Sequence, residues 1–113
     1  MLTGALTTET GHDQWGSDWH DSRFYRRLFA GDRLDQSIAF VDRIRPVAGR
    51  VGATVAQVAI AWVLRQPGVT SAICGTSSVA HALNNAAAVS VELDDADLAE
   101  LDAATVFAPA PVD

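Results

Sequence analysis

The stretch "GATVAQVAIAWVLRQPGVTSAICGTSSVAHALNNAAAV", residues 52–89, decides how the rest of the chain is read. Thr54 followed by Gln57 is a capping-box pattern, and it opens a run through Val58, Ala59, Ile60, Trp62, Val63 and Leu64 that is apolar on every side. A helix without a polar face has to be covered on more than one side. "RQPGV" stops it, with Pro67 and Gly68 as breakers, and Val69–Ile73 reads as a strand. Gly75–Ser78 is a turn of small residues, and Ser78 is placed to cap a helix over 79–89 with Val79, Leu83, Ala86 and Ala87 on one side.

Working outward, Leu34, Ile38, Val41, Ile44 and Val47 recur every three or four residues with charged residues between them, which predicts an amphipathic helix. Pro46 is expected to kink or end it, because proline loses the bond to the carbonyl of Asp42. Downstream, Leu93, Asp94, Asp97 and Leu98 have the form of a hydrophobic staple around an Asp cap, starting a last helix whose inner face carries Leu98 and Leu101. Asp94, Asp95 and Asp97 are read as a cap and a solvated first turn, not as a metal site. Residues 1–32, with His12, Trp15, Trp19 and His20, form a long aromatic loop, and 109–113 a tail, so the chain is one partial domain with its helices and strand in 33–108.

Four helices and one strand do not close a fold. A single strand leaves its backbone groups without ladder partners, so a helix, strand and helix in succession predict a piece of an alternating α/β protein built around a larger barrel or sheet.

Composition narrows the function classes. A formal charge of −6 argues against nucleic acid or an anionic membrane surface as partner. All eight basic residues are Arg, which removes a Schiff-base lysine and any tyrosine activated by a lysine of this chain. The single cysteine, Cys74, excludes an intrachain disulfide and is read as a small apolar residue at the strand's end. Met1–Thr10 has no secretory-leader pattern, and the longest apolar stretch falls short of the roughly 20 residues that span a bilayer, so a cytoplasmic protein is expected.

The turn at Gly75 has two readings. It is a plain helix cap, or it offers backbone N–H groups and a positive helix end to an anion while Gly75 lets the backbone approach closely. Trp62, on an apolar helix, is read as core.

These residues resemble the closing segment of aldo/keto reductases, which carry a helix of form T-x-x-Q-x-A-x-x-W-x-L followed by V-x-x-x-I-x-G-x-x-S-x-x-x-x-x-x-N. "LTGAL" at residues 2–6 is similar to the end of the family's "PLxxGLLTGK" segment, and "SDWHDSRF" at 17–24 to its arginine-containing loop. The resemblance implies the C-terminal third of a (β/α)8 barrel: an accessory helix at 33–48, the seventh helix at 54–65, the eighth strand at 69–73, the eighth helix at 79–89 and a final accessory helix at 94–103.

Family members reduce aldehydes or ketones with NADPH through an Asp, Tyr, Lys and His in earlier strands, and none of those positions is in this sequence. The resemblance therefore implies a cofactor-holding part of an oxidoreductase, without catalytic residues of its own and inactive alone. Tyr25 lies in the aromatic loop and is not the family's catalytic acid. Carried over by position, Gly75, Thr76, Ser77 and Ser78 would lie near the phosphate or ribose of NADP(H), His81 one turn on, Asn84 and Asn85 near the adenine edge, and Arg23 over the pyrophosphate. The chain departs from the pattern at His81, where many members have Gln, at Asn84, where Glu is common, at Thr76, where some have Arg or Lys, and at Ala5, where a lysine stands. Implied partners are NADP(H), a carbonyl substrate in the complete enzyme, and a missing barrel half or a second copy. The alternative from another class is a small acidic helical interaction module without catalysis.

Overall fold

A computed structural model of the chain describes residues 33–105. Within them lie helices α1 (Arg33–Val51), α2 (Val55–Leu64), α3 (Val79–Ala86), a 3-10 turn (Ala87–Ser90) and α4 (Asp95–Ala104). The readings placed on 1–32, including Arg23, Tyr25 and the loop tryptophans, and on the tail at 109–113 lie outside the described residues.

Helix α1 buries Val41, Ile44 and Val47 of the predicted stripe, leaves Ile38 half-buried, and adds Phe40 and Ala48, which the spacing did not single out. The expected break at Pro46 does not occur, since α1 runs through it to Val51. Pro46 and Asp42 are both on the solvent side, where water can satisfy a carbonyl that has lost its donor. The stop comes at Gly52, whose φ of 65° only glycine adopts cheaply. There the Ala53 N–H donates to the Ala48 carbonyl at 3.0 Å, closing a Schellman cap.

Helix α2 begins as predicted. Thr54 Oγ1 accepts from the Gln57 N–H at 3.2 Å, and Gln57 Oε1 accepts from the Thr54 N–H at 2.9 Å. The chain turns by 92° between α1 and α2, which lets α2 press Val58, Ala59 and Ala61 into the cluster that holds Ile44, Val47, Leu93 and Leu101. No single described helix is long and apolar enough to cross a membrane. Helix α2 ends in a tight turn in which the Val69 N–H donates to the Gln66 carbonyl at 3.1 Å, with Pro67 and then Gly68 (φ 81°) at its centre. That is a type II turn, which needs the positive φ at its third residue.

Val69–Ile73, the expected strand, is irregular and has no ladder partner, and the described residues contain no β-strand. The backbone of a lone strand has nothing to pair with. Its apolar residues are not buried: Ile73 is 99% exposed, Val69 37%, and Ala72 is half-buried. The same holds for α3, whose expected inner face is uncovered: Val79 is 77% and Leu83 68% exposed. The helix also ends sooner than 89, tightening after Ala86 into the 3-10 turn, which buries Ala88 against the core. The 3-10 turn and α3 lean on α2, and α4 packs on α1.

Helix α4 is held by the predicted staple, with Leu93 in the core cluster and Leu98 packed against it. Asp94 Oδ1 accepts from the Asp97 N–H at 2.7 Å, and Asp97 Oδ2 returns the bond to the Asp94 N–H at 3.4 Å. Asp97 is a correction: only 7% exposed, it is not part of a solvated turn. Its Oδ1 accepts from Nη2 of Arg50 at 2.7 Å, and Arg50 also reaches Glu100 at 2.6 Å, so the end of α1 is clipped to the start of α4.

Candidate functional site

The turn at Gly75–Ser78 and the helix behind it form the candidate site. Thr76 Oγ1 accepts from the Ser78 N–H at 3.3 Å and donates to the Ser78 carbonyl at 3.1 Å, which fixes the turn locally. Ser78 Oγ accepts from the His81 N–H at 3.1 Å, the cap predicted for α3. The next orphan donors, the N–H groups of Val79 and Ala80, have no protein acceptor among the described residues and sit at the positive end of the helix. Gly75 has no positive φ, and a Cβ there would meet open space, so nothing in the described residues demands glycine at 75. The open approach to this backbone is what a ligand would use.

Of the residues predicted from sequence, Gly75, Thr76, Ser77, Ser78 and His81 gather at the exposed N-terminus of α3, while Asn84 and Asn85 are half-buried at its other end, toward α2. Arg23 lies outside the described residues. Asn85 faces two open grooves. One, of about 590 Å³, runs between Ile60 and Val63 of α2 and the Ile73–Gly75 backbone. The other, of about 450 Å³, is bounded by Leu64, Thr70, Ala82 and Val89. Both are mostly apolar in lining, and no Asp, Glu, Arg or Lys occurs between Arg65 and Glu92. Cys74 lines both as an exposed free thiol, which corrects the reading of it as a small apolar residue closing a strand.

Three contacts, one of them at the site, had no signal in the sequence. Gln57 Nε2 donates to the Asn84 carbonyl at 3.1 Å, joining the cap of α2 to α3. Trp62, half-buried against the core as expected, also donates its indole N–H to Asp102 Oδ1 at 2.7 Å. Arg50 is held above its ordinary pKa, first by its hydrogen bond with Asp97 and then by that with Glu100. All three join residues far apart in the chain, beyond the reach of spacing rules. Among the described residues no three His, Cys, Asp or Glu side chains converge on a point that could hold a metal ion.

A helix, an unpaired apolar segment, a small-residue turn and a capped helix with an uncovered apolar face are the succession expected of part of an alternating α/β protein. Residues 1–106 match the aldo/keto reductase family model. The chain is 35% identical over 95 residues to a probable voltage-gated potassium channel subunit beta of Arabidopsis thaliana and 33% identical to its counterpart in Oryza sativa subsp. japonica, in each case covering 80% of this chain and 28% of the relative. It is 36% identical over 73 residues to probable aldo-keto reductase 1 of Glycine max, covering 65% of this chain and 21% of that protein. The chain belongs to the aldo/keto reductase family. Membership implies a (β/α)8 barrel, of which the described residues form a small, mostly helical part, and the matched region is under a third of the length of these relatives.

Proposed function

We propose that this chain supplies the NADP(H)-holding segment of an aldo/keto reductase and does not itself carry out the reduction. The observation that carries the reading is the exposed N-terminus of α3: the N–H groups of Val79 and Ala80 have no acceptor among the described residues, and the backbone at Gly75, beside the Thr76–Ser78 turn, is open. That donor set fits a phosphate. His81, on the first turn, adds a side-chain donor, and Asn85, beside the groove along α2, supplies an amide that can pair with an adenine edge. In a complete barrel the bound dinucleotide supplies the hydride that reduces a carbonyl, and this chain's residues hold the end of it that does not react.

Membership of the aldo/keto reductase family supports this reading. Arg23 belongs to the same proposal as a pyrophosphate contact. With the other walls of the site contributed elsewhere, affinity of the isolated chain is expected on the order of 1 mM. Titrating the chain with NADP⁺ and following amide exchange should protect residues 75–85 and leave α4 unchanged. Incubation with NADPH and a simple aldehyde should consume no NADPH. Consumption that follows the protein through purification refutes the inactive half of the proposal, and unchanged exchange at 75–85 refutes the other.

A second reading rests on the bare apolar residues Val69, Ile73, Val79, Leu83 and Val89. A monomer gains nothing from exposing such a face, so it serves to seat another protein surface. A separately made barrel half is the occupant this reading requires, and co-purification of the chain with such a polypeptide, insensitive to nucleotide, is its test.

A further inference from the structure

We propose that Gln57 is a positioning residue for the adenine end of the site, setting where Asn84 and Asn85 stand relative to α2. This rests on the reading of Gly75–Asn85 as the nucleotide-holding segment. The side-chain amide of Gln57 is engaged at both ends: Oε1 accepts from the Thr54 N–H at 2.9 Å, and Nε2 donates to the Asn84 carbonyl at 3.1 Å. Because one partner is a fixed donor and the other a fixed acceptor, the amide has one satisfactory orientation. The Asn84 carbonyl lies in the last turn of α3, where backbone acceptors run out of helical donors, and the chain tightens at once into the 3-10 turn. Gln57 therefore supplies a donor where one is needed and pins that turn.

The rest of α3 needs such a tie. Its outward residues Val79 and Leu83 are bare, and it contributes no buried side chain of its own. Its position is set by the 3-10 turn, where Ala88 is buried, and by α2. Asn85, next to the carbonyl that Gln57 holds, is the α3 residue that lines both grooves. A residue whose only role was to complete the cap of α2 would need just its oxygen.

That distinction gives the test. Gln57→Glu keeps the cap acceptor, since Glu serves at this position of a capping box as well as Gln, but it has no donor for the Asn84 carbonyl. Gln57→Met removes both bonds. Amide exchange of the full chain by NMR, with and without NADP⁺, reads the two ends separately. In Gln57→Glu, residues 84–90 should exchange about three- to tenfold faster while 58–64 keep their protection, and affinity for NADP⁺ should fall by a similar factor. In Gln57→Met both segments should loosen. Wild-type exchange at 84–90 and wild-type affinity in Gln57→Glu overturn the positioning role and leave the nucleotide reading standing. Faster exchange at 84–90 with unchanged affinity also overturns it, because the tie would then be structural only. Failure of the unaltered chain to respond to NADP⁺ defeats the nucleotide reading, and this role with it.

Discussion

Exchanging Ile73 for Asp should cost this chain almost nothing, while trimming Ile44 to Ala should nearly unfold it. Both residues are isoleucines in segments that sequence alone marks as apolar. Ile44 is 1% exposed, among the largest fully buried side chains, and packs in one cluster with Val47 and Val58. Its truncation removes three carbon groups at about 0.8 kcal/mol each and leaves a cavity, for a total of roughly 3–4 kcal/mol. Ile73 is 99% exposed, so no buried area is lost and no charge is desolvated, and the expected change stays within about 0.5 kcal/mol. A folded unit of this size has roughly 5 kcal/mol of stability in total, which leaves Ile44→Ala marginal. In urea, with a slope of about 1 kcal/mol/M, the far-ultraviolet dichroism midpoint should fall by about 3 M for Ile44→Ala and by under about 0.5 M for Ile73→Asp. Sedimentation velocity on the same samples keeps self-association apart from folding. A monomeric Ile73→Asp chain that loses as much as Ile44→Ala would mean that Val69–Ile73 is packed within this chain, and the account of a bare barrel-facing side would fail.

Other expectations follow from single contacts. Thr54→Ala removes the acceptor for the Gln57 N–H and should cost about 1 kcal/mol, read from the urea midpoint, with the loss in protection confined to the first turn of α2. Asp97→Ala breaks the bond from Arg50 and half of the α4 capping box, for about 2 kcal/mol, and a change under about 0.5 kcal/mol would show the clip between α1 and α4 to be idle. Arg50 is raised above its ordinary pKa, so its contribution is complete at every pH below that ordinary value and is lost only as pH climbs through the raised one. The thermal midpoint should accordingly show no titration assignable to Arg50 between about pH 7 and about pH 10, which a comparison with Arg50→Gln checks. Cys74 should react with a disulfide reagent as fast as an unstructured thiol, and saturating NADP⁺ should slow it because the thiol lines the groove beside Gly75; equal rates would separate the groove from the nucleotide.

Local patterns carried most of the helices. Thr54 with Gln57, Ser78 before Val79, and Leu93 through Leu98 around Asp94 each announce a helix start by side-chain chemistry within six residues, and each cap is present. The misjudged positions are those where solvent or a distant residue decides. Pro46 does not end α1 because its side faces water, and Asp97 is buried because Arg50, 47 residues away, reaches it. Ile73, Val79 and Leu83 have the spacing of core residues and are bare, because periodicity records which face is apolar and not whether anything covers it. In the candidate site, the turn and its cap were legible, whereas the hold of Gln57 on Asn84 was not, since it spans 27 residues.

The distribution of charge ties these observations to function. Among the described residues, the ion pairs of Arg45 with Asp42 and of Arg50 with Asp97 and Glu100 lie on α1 and α4, while the residues between Arg65 and Glu92 include no Asp, Glu, Arg or Lys. The charge of this unit is therefore gathered on α1 and α4, while the uncharged segment leaves Ile73, Val79, Leu83 and Val89 exposed. A lysine at Leu83, which is 68% exposed, should leave the chain's own urea midpoint unchanged within about 0.5 kcal/mol. Burying that ammonium beneath a barrel strand would be prohibitive, so the same Leu83→Lys change should abolish assembly with any polypeptide that covers the face. If Leu83→Lys assembles as well as the unaltered chain, α3 stays in water in the complete protein, and the seating of a barrel half on this side is wrong.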